Sequence, residues 1–213
     1  QDFEVRAYLT FLVLICVVVC SILLTNTPDS VSPIRDGIFQ TISITTTTGF
    51  VTQDFSQWPS VAPVILLLAA FVGGCAGSTA GGIKMIRVVM IYLQGMREVK
   101  RLIHPNGIFP IKLGKTAVPD RLIEAVWSFF SVYVLLFLFS VTVIMAMSEL
   151  DFLTAFSAVG ASLNNLGPGL GEVAMNYSRL DADVKWVLMF NMMLGRLEIF
   201  TLLVLLTPAY WRR

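Results

Sequence analysis

Thr45-Thr46-Thr47-Thr48-Gly49-Phe50 is a short polar stretch that lies between two apolar runs of the chain. Non-helical backbone is tolerated inside a membrane only where it is buried in protein or lines water. Gly49 supplies the positive φ that a tight turn needs, and a turn at that depth would direct backbone carbonyls at a passing ion, as in a potassium filter. A threonine-rich surface loop is the alternative, but the flanking sequence favours the filter.

The composition indicates an integral membrane protein. Of the 213 residues, 56% are hydrophobic and 14% are charged, whereas soluble domains carry about 25% charged residues. The net charge of +1 gives no indication of a nucleic-acid partner. The cysteines are interpreted as packed thiols rather than as metal ligands or a disulfide: Cys16, Cys20 and Cys75. The chain begins at Gln1 without a signal-peptide pattern, and we expect it to be a piece of a longer polypeptide.

The first half of the chain predicts two spanning helices with a shorter helix between them. Residues Tyr8 to Leu24 are apolar and long enough to cross a bilayer. Ser32 and Pro33 are typical of a helix start, but the segment Ile34 to Thr45 is too short to span. A short helix that runs into a polar turn predicts a re-entrant pore helix, whose negative C-terminal end would face the ion path. Val61 to Val72 begins the second span.

A glycine-rich segment, Gly73 to Gly82, interrupts this second span. Five of its ten residues are glycine, and each glycine costs a helix about 1 kcal/mol relative to alanine. Breaks of this kind in transporter helices line the transport path. The alternative is an ordinary helix-packing face, because Gly73 and Gly77 have the GxxxG spacing. We expect the helix to resume from Ile83 to Val99.

The second half repeats this order. Leu122 to Met147 and Trp186 to Leu206 are predicted spans, and Asp151 can cap a short helix from Phe152 to Leu163. That helix meets a second polar turn, Asn164-Asn165-Leu166-Gly167-Pro168-Gly169. The sequence therefore predicts an all-α membrane protein of two helix–pore-helix–helix repeats with re-entrant filter loops, similar to a potassium channel.

Gly49 and Gly167 stand at matching positions, which predicts an internal repeat of roughly 118 residues. The first repeat is expected to include the glycine-rich segment at residues 73–82. The first repeat, a basic connecting loop and the second repeat are expected at residues 1–101, 102–121 and 122–213.

The distribution of charge predicts the orientation of these repeats. Basic residues crowd the central loop and the C-terminal end: Arg97, Lys100, Arg101, Lys112, Lys115, Arg121, Arg212 and Arg213. Acidic residues dominate near the two turns: Asp29, Asp36, Asp54, Glu149, Asp151, Glu172, Asp181 and Asp183. The positive-inside rule then places the central loop and both termini in the cytoplasm, with the filter loops facing outward behind acidic vestibules that attract cations.

Arg196 is expected near the middle of the last spanning helix, where a charge is costly and needs a partner or water. One interpretation is a static pair with Glu198 of a neighbouring helix or with a backbone carbonyl. The other is that Arg196 reaches the pore below the filter and acts as an electrostatic barrier beside the glycine-rich segment. Glu198 of the same helix lies two residues away, so the two side chains do not share a helix face.

Enzyme motifs in the chain are incomplete. Gly77 to Lys84 has the glycine spacing of a phosphate-binding loop, but Ile83 stands where lysine is needed. Ser162 and the single histidine, His104, are expected on opposite sides of the membrane, so they cannot form a nucleophile–base pair. We therefore expect that this chain is not an enzyme.

Three strings carry a family resemblance: Thr45 to Phe50, Gly77 to Lys84 and Asn164 to Gly169. Together they resemble the TrkH/KtrB superfamily of potassium uptake proteins. The stretches Arg97 to Pro105 and Leu194 to Phe200 are most similar to its TrkH branch. Members of the superfamily carry four helix–pore-helix–helix repeats in one polypeptide around a single pore, and this chain resembles the third and fourth.

The resemblance implies a role for each matching residue. Two quarters of the filter would come from Thr47, Thr48, Gly49 and Phe50, and from Asn165, Leu166 and Gly167. An intramembrane loop that blocks the pore and moves on gating would comprise Gly73, Gly74, Gly77, Ser78, Thr79, Gly81 and Gly82, with Arg196 facing it. The resemblance also implies potassium as the transported ion, a homodimer, a cytosolic nucleotide-binding regulatory ring on the basic face, and the bacterial inner membrane.

Two quarters cannot close a filter, so the missing repeats are expected upstream in the same polypeptide. The alternative is a four-fold pore formed by two copies of this chain. Two further functions stay open. One is a transporter coupled to protons or sodium, with the glycine-rich segment as its substrate site and Glu198 as the only candidate proton relay. The other is a non-conducting structural subunit.

Overall fold

The computed structural model describes residues 2–26, 32–59, 61–114, 116–197, 199, 201, 204 and 207–211. Its helices are α1 (Asp2–Asn26), α2 (Pro33–Thr45), α3 (Val61–Val72), α4 (Met85–Ile103), α5 (Asp120–Met147), α6 (Phe152–Leu163), α7 (Ala182–Arg196) and α8 (Pro208–Trp211). Two 3₁₀ turns, Phe55–Gln57 and Gly171–Val173, and an antiparallel hairpin of β1 (Lys112–Leu113) and β2 (Thr116–Ala117) are also present.

Two of these helices are long and apolar enough to cross a membrane. They are residues Phe3–Asn26 of α1 and residues Asp120–Met147, which form α5. Helices α3 and α6 are apolar but shorter. Large apolar side chains of α1, such as Val13 and Val17, are more than half exposed, which is the arrangement expected where a helix meets lipid.

The two short helices form where the sequence predicts them. Pro33 occupies the first position of α2, where its missing N–H is one that a helix leaves unpaired. At the start of α6, the Asp151 carboxylate accepts a hydrogen bond from the Leu153 amide at 3.2 Å, as the predicted cap requires. Both helices end directly at a polar turn, after Thr45 and after Leu163.

Two apolar cores hold the repeats, and two phenylalanines join the cores. The first core packs α1, α2 and α3 with the turn after α6, and the second packs α5, α6 and α7. Phe71 and Phe156 contact both cores. Their rings lie edge-to-face on Phe137, with centroid distances of 5.4 and 4.9 Å. These contacts hold the end of α3 against α6, so the two polar turns lie side by side.

The three cysteines are free thiols and are partly buried. Cys20 of α1 faces Gly37 of α2, where a Cβ would lie 2.9 Å from the Cys20 Sγ atom. Gly37 therefore makes room for the thiol. The disulfide alternative is excluded for these residues, and Cys20 is a packing residue between the two helices.

The ends of α1 and α4 extend beyond the predicted bounds. Helix α1 begins at Asp2 rather than at Tyr8, and α4 continues to Ile103 rather than ending at Val99. The last turn of α4 carries two basic residues, which the negative C-terminal end of a helix favours. Apolar length sets the span of a membrane helix, whereas polar residues that suit the helix dipole lengthen it at the surface.

The predicted loop at 102–121 is more ordered than the sequence indicated. It contains the hairpin of β1 and β2, and α5 already begins at Asp120. Pro119 has an extended conformation and precedes the helix. The carboxylate of Asp120 then lies in the first turn, where the helix dipole favours an acid.

The predicted last span is the largest difference. A span from Trp186 to Leu206 was expected, whereas helix α7 runs from Ala182 to Arg196 and is interrupted at Leu197. Ile199, Thr201 and Val204 are again helical. Gly195 packs against the carbonyl of Leu163, and the arginine beside it turns to the glycine-rich segment. Several residues named in the sequence analysis lie outside the described residues: Asp29, Lys115, Glu198, Phe200, Leu206, Arg212 and Arg213.

Candidate ion filter and intramembrane loop

The two polar turns have the same backbone structure. The Thr48 amide donates to the Ser43 carbonyl at 2.8 Å, and the Leu166 amide donates to the Ala161 carbonyl at 2.8 Å. Donor and acceptor are each displaced by 118 positions between the two turns, the shift that the sequence predicts. The repeat is therefore present in the main chain, although the side chains differ.

Both turns also have positive φ at two matching positions. The φ angles are 55° at Thr47 and 52° at Asn165, followed by 82° at Gly49 and 103° at Gly167. For the two glycines this conformation carries no steric cost. For a β-branched threonine it is an outlier and costs about 1–3 kcal/mol, and such strain is concentrated at functional sites. The sequence indicated the glycines but not the strain at Thr47 and Asn165.

The two turns touch each other at Gly49. A Cβ on Gly49 would overlap the carbonyl oxygen of Leu166 and would lie 3.6 Å from Cδ of Pro168. A Cβ on Gly167, the matching residue, would meet nothing within 4 Å in the described part of the chain. The first turn is thus packed against the second at Gly49, whereas the matching position of the second turn, Gly167, is open.

The carbonyls of the turns fall into two groups. The Phe50 carbonyl accepts a hydrogen bond from the Ser43 hydroxyl at 2.6 Å, and the Gly167 carbonyl accepts one from the Tyr177 hydroxyl at 2.7 Å. The carbonyls of Thr47, Thr48, Asn165 and Leu166 are among those in the turns that accept no hydrogen bond from the described residues. These four oxygens stand at matching positions of the two turns and are available to a ligand.

The glycine-rich segment between α3 and α4 is not helical, so the helix-packing alternative for Gly73 and Gly77 is wrong. The Ile83 amide donates to the Phe71 carbonyl at 2.9 Å, which closes the base of a loop. Positive φ values of 65° at Gly73 and 82° at Gly82 turn the chain at its two ends. The predicted loop residues thus form one compact loop inside the bundle.

Gly81 brings this loop into contact with both turns. Its amide donates to the Thr47 hydroxyl at 3.1 Å. A Cβ on Gly81 would overlap the carbonyl oxygen of Asn164, so its Cα lies directly against the second turn. The loop and the two turns are therefore one connected structure.

Arg196 contacts the loop from the other side. Its Nη1 atom donates to the Thr79 carbonyl at 2.5 Å. Arg196 is the last residue of α7 rather than a mid-helix residue, which corrects the sequence-based placement. The partner of Arg196 is a backbone carbonyl, as the interpretation of a static pair allowed. This carbonyl belongs to the glycine-rich loop, beside which the other interpretation placed Arg196.

A cavity of about 240 Å³ lies between the loop, α5 and the end of α7. Its walls include three basic side chains, Lys84, Arg87 and Arg196, together with Phe129 and Tyr133. The guanidinium carbon of Arg87 lies 4.1 Å from the centre of the Phe129 ring, a favourable cation–π arrangement. The three basic side chains make this cavity electropositive, which disfavours a cation within it.

Two tyrosines that support the second turn were not predicted. The Tyr133 hydroxyl donates to Oδ1 of buried Asn164 at 2.7 Å, and Tyr177 holds the Gly167 carbonyl. Burial raises the pKa of Tyr177 above its usual value, so its hydroxyl stays protonated and remains a donor. Neither tyrosine is in a local motif, because both act across the fold, and the sequence carries no signal for them.

Comparison with known proteins gives consistent matches over the whole chain. The chain is 51% identical over 214 residues to the Trk system potassium uptake protein TrkH of Halomonas elongata, covering 100% of this chain and 44% of the relative. It is 50% identical over 199 residues to the protein of the same name from Escherichia coli K12, covering 92% of this chain and 41% of the relative. The chain thus spans less than half the length of these relatives.

A solved structure agrees with the fold. The crystal structure of the potassium transporter TrkH from Vibrio parahaemolyticus matches with a TM-score of 0.91 and 49% identity, over 98% of this chain and 45% of that one. The fold and the paired turns define a membrane protein built from pore-helix repeats. The TrkH family, described as cation transport proteins, matches residues 5–213, and this chain belongs to that family.

These matches confirm the predicted family and the fold of helix–pore-helix–helix repeats. The named relatives are transport proteins. The roles of individual filter and loop residues, and the bounds of the repeats, stay predictions.

Proposed function

We propose that this chain is the pore-forming part of a potassium uptake protein, in which its two turns supply two of four filter quarters. The supporting observation is the pair of adjacent turns with one backbone structure and with matching carbonyls that accept no hydrogen bond. Relatives that are about 50% identical to this chain over the aligned residues are named as potassium uptake proteins. The open side of Gly167 fits a further repeat of the same polypeptide.

In this proposal potassium is the transported substrate, and the turns replace its hydration shell with carbonyl oxygens. The carbonyls of Thr47, Thr48, Asn165 and Leu166 act as ligands. Phe50 and Gly167 hold the turns in shape, because their carbonyls already accept hydrogen bonds. The negative C-terminal ends of α2 and α6 point at the turns and add to the attraction of a cation.

The loop between α3 and α4 is the proposed gate. It lies against the turns through Gly81, and Arg196 holds it at Thr79. Conduction requires the loop to move, with Gly73, Gly74, Gly77, Ser78 and the two glycines at its end providing the conformational freedom. Withdrawal of Arg196 would at the same time remove a positive charge from the path.

The remaining parts of the assembly follow from the family and are proposed with it. The missing repeats precede this chain in the same polypeptide, which forms a homodimer in the bacterial inner membrane. The filter faces outward, and the basic loop and both termini face the cytoplasm, where a nucleotide-binding regulatory ring docks.

The primary test is rubidium uptake into proteoliposomes that contain the complete polypeptide. We expect uptake that potassium inhibits and sodium does not, because carbonyl ligands at fixed spacing discriminate by ion size and hydration. An absence of uptake, with the regulatory ring supplied, would contradict the proposal and favour a structural subunit. Uptake that needs a proton or sodium gradient would favour a coupled transporter.

The gating proposal is tested separately with Arg196→Ala. A hydrogen bond from a charged donor contributes about 1.5–3 kcal/mol, so we expect rubidium flux through the closed protein to increase at least about tenfold. Arg196→Lys keeps the charge and should give a smaller increase. Arg179→Ala, an exposed arginine in the turn before α7, is the matched control. Equal closed-state flux in all variants would contradict a gating role.

A further inference from the structure

The loop has two parts that are held in different ways. Its base, formed by residues 71–74 and 81–85, is buried for the most part and closed by backbone hydrogen bonds. Its tip, Cys75 to Thr79, contains a turn closed by the Ser78 amide and the Cys75 carbonyl at 2.9 Å. Residues 76–79 are exposed. Contacts from outside the loop therefore decide the position of the tip.

Among the described residues, three side chains from outside this tip form hydrogen bonds with it. Arg196 donates to the Thr79 carbonyl, and Nζ of Lys84 donates to the Ala76 carbonyl at 3.4 Å. The third is Glu4, whose Oε1 atom accepts a hydrogen bond from the Ala76 amide at 2.6 Å. Glu4 lies in the first turns of α1, 72 residues away in sequence, and is partly buried.

The Glu4 contact is stronger than an ordinary turn contact. A carboxylate that accepts from a backbone N–H forms a charge-assisted bond, which is shorter and about twice as strong as a neutral one. Lys84 approaches the carbonyl of the same residue, so both polar groups of Ala76 have side-chain partners. A Cβ on Gly77, the next residue, would meet nothing within 4 Å in the described part of the chain, so the tip has room to move.

We propose that Glu4 is a positioning residue that holds the loop tip in its closed position. Helix α1 then controls the gate from one side, as α7 does from the other through Arg196. The consequence for transport rests on the proposed gating function of the loop. The positioning of the tip by Glu4 does not rest on that function, because it concerns only where the tip lies.

The position of the tip can be measured at Cys75, which directly precedes Ala76. The complete polypeptide is reconstituted with Cys16 and Cys20 replaced by alanine, and the labelling rate of Cys75 with a membrane-impermeant methanethiosulfonate is followed by peptide mass spectrometry. Glu4→Asp keeps the charge but shortens the side chain by one methylene. Glu4→Gln loses the charge but keeps an acceptor oxygen at the same reach. Glu124→Ala, an exposed acid in α5, is the control.

We expect Glu4→Asp to label about tenfold faster than the parent protein, which corresponds to about 1.4 kcal/mol. Glu4→Gln should label at less than half of that rate, and Glu124→Ala at the parent rate. Removing the Glu4 carboxylate, as in Glu4→Gln, also changes the reactivity of the nearby Cys75 thiol. That effect alone would make Glu4→Gln label faster than Glu4→Asp. Faster labelling of Glu4→Gln than of Glu4→Asp, or equal rates in all variants, would overturn the proposal.

Rubidium flux through the closed protein separates this inference from the gating function. Parallel increases in labelling and flux for Glu4→Asp support both. Increased labelling with unchanged flux supports the hold of Glu4 on the tip and contradicts the role of the loop as a gate. Unchanged labelling together with increased flux in Arg196→Ala overturns the role of Glu4 and leaves the gate in place.

Discussion

Gly49→Ala is the most informative change in the filter, because two independent features exclude a side chain at this position. The φ angle is 82°, where an L-residue is strained. A Cβ would also overlap the carbonyl oxygen of Leu166, which is one of the four proposed ion ligands. The substitution therefore moves a proposed ligand directly, without altering any charge.

The expected magnitude follows from these two features. The left-handed conformation costs an L-residue about 1–2 kcal/mol, and an extra methyl group in a packed site costs about 1–3 kcal/mol. If about 1.4 kcal/mol of this strain is relieved by displacement of the Leu166 carbonyl, discrimination between rubidium and sodium falls about tenfold. Gly49→Ser has the same Cβ and is expected to lose selectivity at least as strongly.

The assay is rubidium uptake by the complete polypeptide, with sodium as competitor at increasing concentration. Gly95→Ala is the matched control, because its Cβ would meet nothing within 4 Å among the described residues and it lies within α4. Alanine there favours the helix by about 1 kcal/mol and should leave selectivity unchanged. Wild-type discrimination in Gly49→Ala, with normal expression and uptake, would refute the assignment of Gly49 and Leu166 to the filter.

Two further predictions concern side chains that support the filter. Thr47→Val removes the hydroxyl that accepts the hydrogen bond of the Gly81 amide. Because a net hydrogen bond contributes about 0.5–1.5 kcal/mol, closed-state rubidium flux should rise about two- to tenfold. Thr47→Ser keeps the hydroxyl and should not change this flux. Tyr177→Phe removes the donor to the Gly167 carbonyl, and we expect weaker discrimination against sodium in the same assay. Because burial raises the pKa of Tyr177 above 10.0, the unfolded chain loses this proton first, so the free energy of unfolding falls as pH rises above that value. Denaturation at increasing pH should show a smaller fall in Tyr177→Phe.

The pore helices and their turns could be predicted because their signals are local. Pro33 and Asp151 mark helix starts, and a helix of 13 or 12 residues is too short to span. The repeat could be found from the order of elements although the two turns share only their glycine, Gly49 and Gly167. The proposed ligands are main-chain atoms, so the side chains of the two turns can differ without changing the proposed chemistry.

The contacts that connect the site could not be predicted, because they join residues far apart in sequence. Arg196 was expected within a helix, yet its bond to the loop lies at a helix end, where the packing of Gly195 places it. Glu4 and Tyr177 gave no local pattern at all. The strain at Thr47 was also missed, since threonine is a poor choice for positive φ unless the surrounding structure imposes it.

The position of Gly81 connects the glycine-rich loop to both turns, and this connection affects the equilibria of both. Its amide is bonded to one turn and its Cα lies against the other, so the loop cannot leave without changing the surroundings of both. If the turns bind an ion as proposed, occupancy of the turns and displacement of the loop are linked equilibria, and linkage is reciprocal. An ion that binds the turns better when the loop is displaced must favour that displacement by the same factor. The extracellular ion would in this way be an effector of its own passage, and two permeant ions with different affinities for the turns would give different open fractions.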